Sequence, residues 1–330
     1  MDKEGFIKFL TISEKVPKGL SKEIVDFDVD AVEAFENDIR RRGERRELHN
    51  AVEEDVQLYI RTLVERGQNS EERLLALYRY ARFIGNKDME LAIIRPLDGA
   101  FVLEKLSETI RGRLGQSKHA KVFRGVSLPE LGSSPRDWQT ITQKFMRQLE
   151  DTVGPQTCKE LLLTGPHAGP TEWYEEERET FLNSKDIDDF LKVRHEKAVA
   201  TLRRHMEEHT LFFNQEIDSD VLNFVASNHE MMGGVRRGNT VYETKIPYMA
   251  REYLRESDDT MKKYFYCHCP WVREAIRTGT RISPIFCYCS AGYHKKPWDV
   301  IFGRPVEVEV LNSILGGDSI CRFAIKIPAL

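Results

Sequence analysis

"RPVEVEVLNSILGGDSICRFAIKIPAL", residues Arg304 to Leu330, decides the class of the fold. Apolar and polar residues alternate on both sides of Gly316-Gly317-Asp318, the pattern of two half-buried strands joined by a turn. A period of two places Cys321, Phe323, Ile325 and Ile327 on one face, and their apolar character marks that face as the buried one. A second hairpin is expected upstream in "EMMGGVRRGNTVYETKIPY", Glu230 to Tyr248, where Gly238-Asn239 supplies residues that tolerate the positive φ of a tight turn.

Outward from these strands the pattern is helical. Apolar residues at spacings of three and four in "EEDVQLYIRTLVERG" and "SEERLLALYRYARFIG" predict a helical hairpin within 31–85, joined at "GQNS" with Ser70 as an N-cap. Further helices are expected over 101–114, 138–153 and 187–212, and in "WVREAIRTG" and "GYHKKPWDVIFG". Composition shifts after Asp220. The expected class is α+β: a helical region over residues 1–210 and a smaller cysteine-rich α+β domain over 211–330.

At 330 residues, 41% hydrophobic and 31% charged, the chain can bury a sizeable core. The net charge of -4 gives no general attraction to nucleic acid or to an anionic membrane, and the basic run "IRRRGERREL" reads as a solvated helix face. No apolar run approaches the roughly 20 residues that span a bilayer, and the first residues lack a leader pattern, so a cytoplasmic protein is expected. A P-loop, a Gly-x-Gly-x-x-Gly fingerprint and a Gly-x-Ser-x-Gly elbow are all missing, which leaves nucleotide and serine-hydrolase chemistry without a motif.

Of six cysteines, Cys267, Cys269, Cys287, Cys289 and Cys321 fall in the last quarter, with Cys158 alone outside. In a reducing compartment such clustering favours metal binding or thiol chemistry over disulfides. If "KYFYCHC" and "SPIFCYC" are strands, each pair shares a face, and five thiols are directed to one side of a small sheet. Strand positions two apart are about 6.6 Å apart, too far for one Cys-x-Cys pair to chelate zinc through bonds of about 2.3 Å without leaning, so one sulfur from each of several strands is the easier geometry.

The run from Cys287 to Ile327 resembles the vinyl-reductase-type small-molecule-binding domain. Cys287 with Gly292 and Tyr293, Gly303 with Arg304, Gly317 with Asp318, and Cys321-Arg322-Phe323 follow that domain's order. The resemblance implies a zinc held by Cys287, Glu309 and Cys321, but Asn312 stands where a further Cys belongs, and Cys267, Cys269, Cys289 or His294 would have to complete the site. A weaker resemblance, carried by "CHCPWVREAI", is to the L-2-amino-thiazoline-4-carboxylate hydrolase-like proteins.

Three other signals are weighed. "HMEEH" matches His-x-x-Glu-His, in which His205 and His209 on one helical face would hold zinc, but a charged helix face produces such strings by chance. His167 lies in the turn "TGPHAGP", and Lys245, Pro247 and Tyr248 lie where a strand gives way to a helix; both are read as structural. The first functional expectation is a zinc-binding module for a small apolar or aromatic ligand, lined by Tyr264, Tyr266, Tyr288 and Trp298, with metal ligands drawn from the five clustered cysteines. The alternative is a thiol-dependent, hydrolase-like enzyme in which His268 or His294 assists a cysteine nucleophile. A homodimer is compatible with either, and neither calls for nucleic acid or membrane.

Overall fold

Short polar residues at helix starts set the frame of the first part of the chain. Asp2, Ser21, Ser70 and Asn86 each accept a hydrogen bond from a backbone N–H in the first turn of the helix that follows, satisfying donors that have no partner inside the helix. A computed structural model describes residues 1–13, 20–43, 47–166 and 168–328. Contacts divide it into two units, Met1–Ala100 with Pro129–Ser134, and Phe101–Leu128 with Pro135–Leu330. The division falls near Ala100, whereas the composition shift near 210 lies inside the second unit.

The first unit is helical: α1 (Lys3–Ile12), α2 (Lys22–Arg41), α3 (Glu53–Glu65), α4 (Glu71–Ile84) and α5 (Lys87–Leu97). The two helices expected there are α3 and α4, with Ser70 as the cap of α4, but they do not pair as a hairpin: α3 packs against α5, and α4 against α2 and α5. Phe6, Val32, Phe35, Leu74, Leu77 and Ile93 close its core. The carboxylate of Asp28 is sealed within it and accepts from Arg79 Nη1 with both oxygens at 2.9 Å.

The second unit contains α6 (Val102–Val122), α7 (Trp138–Leu162), α8 (Glu175–Asn183), α9 (Ile187–Glu207), a two-strand ribbon β1 (Leu211–Phe212) and β2 (Gln215–Glu216), and α10 (Ser219–Ala226). There follow β3 (Val235–Arg237), β4 (Thr240–Thr244), α11 (Ala250–Arg255), α12 (Asp259–Tyr266), α13 (Pro270–Thr278), α14 (Tyr288–Phe302), β5 (Glu307–Asn312) and β6 (Arg322–Lys326). The class is α+β. Both expected hairpins are present in one antiparallel sheet of order β3-β4-β6-β5, with Gly238 at φ 59° turning the first. Val241 and Glu243 of β4 pair with Ile325 and Phe323 of β6, and this face carries α14 through Trp298, Ile301 and Ala291. Gly292 lets that helix meet the backbone of 163–165: a Cβ there would lie 2.7 Å from Gly165 N and 2.8 Å from Leu163 O.

Two local expectations are corrected. The Cys-x-Cys segments are not strands: Tyr264 and Tyr266 end α12, Cys267 and Cys269 form the link to α13, Cys287 ends a 3-10 turn, and Cys289 is in α14. Asp258 caps α12, and Pro270 and Pro284 sit at the first positions of helical turns, where a missing N–H costs nothing. In "HMEEH", α9 stops at Glu207 and the exposed His209 has φ 53°, so the two histidines do not share a helical face. His167 lies outside the described residues. Among the described residues, no helix is long and apolar enough to cross a membrane.

Candidate functional site

Alternation along β4 directs Glu243 inward, between Val241 and the segment that begins at Lys245, onto the face covered by α14. A carboxylate is costly there unless it is fully paired. Three donors meet it. Arg194 Nη1 of α9 approaches Oε1 at 2.5 Å, Trp298 Nε1 donates to Oε1 at 2.9 Å, and His294 Nδ1 donates to Oε2 at 2.7 Å. Arg194 also pairs with Glu177 and donates to Gly233 O at 2.6 Å. Burial alone would push the Glu243 carboxyl up, but the Arg194 charge and the His294 hydrogen bond hold it down to about 2. Burial likewise works against the Arg194 charge, and the two glutamates overcome it and raise its pKa.

Glu243, ionised, can only accept, so Nδ1 of His294 carries the ring proton and Nε2 presents a bare lone pair. That Nε2 is buried and has no hydrogen-bond partner. Phe323 stacks on the ring at 4.4 Å and fixes its plane. Burial pushes the His294 pKa down against the pull of Glu243, so the imidazole is neutral and basic at neutral pH. This is the geometry of an oriented general base.

The helix runs along the strand from this point. One turn toward the N-terminus of α14, Ser290 accepts a hydrogen bond from Lys245 Nζ at 3.1 Å. One further turn away lies Cys287. Across the sheet Lys245 N donates to Cys321 O at 3.0 Å, and Cys321, two residues before Phe323, faces the same way as that ring. From the other side come Cys267 and Cys269, and His268, whose Nε2 donates to Ile246 O at 2.7 Å. Lys245 bears electrostatically on Cys267, Cys269, Cys289, Cys321, His268 and His294. His268, Cys269, Cys287, Ser290, His294 and Cys321 keep some accessible surface, although for each titrating group among them burial dominates the pKa.

The thiols differ among themselves. Burial pushes Cys267 up to about 11 and Cys289 to about 12, and holds Cys269 and Cys287 well above the ordinary thiol value. Cys321 is raised by burial too, with the Lys245 ammonium the largest opposing influence and the Asp318 carboxylate adding to the rise. The isolated Cys158 is fully buried and pushed up to about 12.

These thiols do not make a metal centre. Among the described residues, no group of three or more His, Cys, Asp or Glu side chains is arranged to hold a metal ion, which overturns the expected zinc site and the zinc-bearing pattern borrowed from the vinyl-reductase type. The reason is visible at Glu309 and Asn312. Glu309 is exposed, its neighbours Val308 and Val310 taking the covered face, so it points away from Cys321; Asn312 is bound to Asp318 in the turn at 3.1 Å. The expected aromatic lining is dispersed. Tyr264 donates to Glu274 at 2.9 Å, the buried Tyr266 donates to Lys245 O at 2.6 Å, Tyr288 carries Lys159 Nζ at 4.9 Å from its ring centre, and Trp298 is committed to Glu243.

Glu243 and Arg194 escaped the sequence reading. The signal for the first was a lone acid on the inward alternation of β4; for the second, an arginine within the apolar face that Phe190 and Leu191 begin. Residues 246–329, about a quarter of the chain, match a family of unknown function (DUF6144). The matched segment carries the five clustered cysteines, His268 and His294, but stops short of Lys245, Glu243 and Arg194. No curated protein and no solved structure matches the chain.

Proposed function

We propose that the second unit is a thiol-dependent, hydrolase-like enzyme with Cys321 as nucleophile. The observation that carries this reading is His294 Nε2, a buried and unpartnered base on an imidazole whose other nitrogen is fixed by Glu243. Folding alone gives no use to that lone pair, and leaving it unsatisfied costs on the order of 1–3 kcal/mol. In the proposed reaction the Cys321 sulfur attacks an electrophilic carbon and the thiol proton passes to His294 Nε2. The departing group then takes that proton, and water, deprotonated at Nε2, releases the product and restores the thiol. Lys245 favours the thiolate character that develops on sulfur. Glu243 and Arg194 are positioning residues: they hold the imidazole in the tautomer that leaves Nε2 free. The working compartment is the reducing cytoplasm, on the strength of six free cysteines.

Iodoacetamide tests the reading without a known substrate. One thiol, mapped to Cys321 by peptide mass, should label at least tenfold faster than a cysteine in a short peptide at pH 7.5, and His294→Gln should remove that advantage. A Cys321 that labels no faster than the peptide thiol would end the proposal.

A further inference from the structure

Two cations beside the cysteine cluster have no carboxylate at ion-pair distance among the described residues. Lys245 Nζ donates to a neutral hydroxyl, Ser290 Oγ, and no carboxylate lies within ion-pair distance of it among the described residues. The nearest acid in sequence, Glu243, is taken up by Arg194, His294 and Trp298. A second cation approaches from α13. Arg273 is sandwiched between the rings of Tyr248, 4.4 Å from its guanidinium carbon, and Tyr264, 5.4 Å away. Its Nε and Nη1 are buried without an acceptor. The adjacent Glu274 accepts from Tyr264 and pairs with Arg277 at 3.7 Å, so it does not neutralise Arg273. Lys245 and Arg273 both bear on Cys267 and His268, which places the two cations around one region.

Cations without a paired carboxylate are costly where they are shielded from water and become favourable when an anion enters. We infer that the substrate is an electrophile bearing an oxyanion, held by the Lys245 ammonium with the Arg273 guanidinium behind it, so that the reacting carbon lies against Cys321. The inference rests on the thiol-enzyme reading and names the charge class of its substrate. Lys245 then acts twice, since the ammonium that favours the thiolate also selects the substrate. The aromatic faces of Tyr248 and Tyr264, already packed on Arg273, keep water from competing for the guanidinium.

Two alkylating reagents of nearly the same size separate the claims: iodoacetamide is neutral and iodoacetate carries a carboxylate. With either, the Cys321 sulfur displaces iodide, the S–C bond forms as the C–I bond breaks, and the thiol proton passes to His294 Nε2. Rates at Cys321 in the full chain are measured by mass spectrometry, and the iodoacetate to iodoacetamide ratio is divided by the same ratio for glutathione. That normalised ratio should be about tenfold above unity in the unmodified protein. Lys245→Met should bring it to about unity, Lys245→Arg should keep most of it, and Arg273→Leu should lower it in part. A normalised ratio at or below unity in the unmodified protein, with fast iodoacetamide labelling, overturns the charge class and leaves the thiol centre standing. Slow labelling of Cys321 by both reagents overturns both. Because the decisive ratio is read on the unmodified chain, a variant that fails to fold does not rescue the inference.

Discussion

Glu243→Gln keeps the shape of the side chain and removes its charge, and the structure sets the size of the effect. The carboxyl pKa falls from its ordinary 4.5 to about 2 in the folded chain. At 1.36 kcal/mol per unit, the ionised form contributes about 3 kcal/mol of stability at neutral pH. The folded value lies below the unfolded one, so this contribution is complete above about pH 4.5 and is lost as pH falls toward 2. Loss of one partner from a buried pair costs about 3–5 kcal/mol in general, which agrees. Arg194 retains Glu177 and Gly233 O, which keeps the damage near the lower figure. The amide also presents a donor where His294 Nδ1 needs an acceptor, which favours the tautomer protonated at Nε2 and removes the base. Urea unfolding, followed by tryptophan emission between pH 3 and pH 7, should show a loss of about 3 kcal/mol for the variant at pH 7. The two curves should converge toward pH 3, and iodoacetamide labelling of Cys321 should slow at least tenfold at pH 7. Equal stability at pH 7, or a difference that does not shrink on acidification, would refute the ion-pair reasoning; unchanged labelling would refute the orienting role.

Two further outcomes test the framework that carries the site. Gly292→Ala brings a methyl group against the backbone of 163–165 and should cost about 1–3 kcal/mol in urea unfolding, because backbone has no flexible end to move aside. In the first unit, Asp28→Ala strands Arg79 against the core and should cost about 3–5 kcal/mol, measured as a lower urea midpoint with Cys321 labelling in the remaining folded protein unchanged.

Both hairpins could be read from the sequence because strand alternation is local: Phe323, Ile325, Val308 and Val310 declare their face without reference to a partner. Helices α3 and α4 were legible for the same reason, with Ser70 as an explicit start, but their pairing was not, since α5 comes between them as the shared neighbour. The Cys-x-Cys segments misled because Tyr264, Phe265 and Tyr266 have strand-like character, while the residues that decide, Asp258, Pro270 and Pro284, act at helix ends and not along the run. The clustering of cysteines was plain, but their chemistry was not. It depends on Glu243 meeting Arg194 and His294, which lie 49 and 51 residues away in the chain. Periodicity fixes which face a residue takes and is silent on which partner waits there.

That partner geometry also sets how many thiols react. Glu243 is consumed by Arg194, and His268 and His294 are both driven toward the neutral form, so the cations facing the clustered thiols are the ammonium of Lys245 and, beyond Cys267, the guanidinium of Arg273, while the Asp318 carboxylate works against ionisation of Cys321. Lys245 balances one thiolate, and at Cys321 it is the largest influence opposing burial. A second thiolate would then face the first within the same cluster: beyond burial, the Cys287 thiol is already pushed up by Cys321 and Cys267, and that of Cys269 by Cys267 and Cys289. At an effective dielectric near 20, two like charges about 6 Å apart repel by roughly 3 kcal/mol, which suppresses the second ionisation about a hundredfold. Rapid alkylation of the native chain should therefore stop at one adduct per molecule, with the remaining five cysteines reacting at least tenfold more slowly and Cys158 last. Lys245→Met should abolish the fast adduct and should not transfer it to another cysteine. Two or more adducts forming at the same fast rate would show that the thiols ionise independently, and the single-ammonium account of the site would fall.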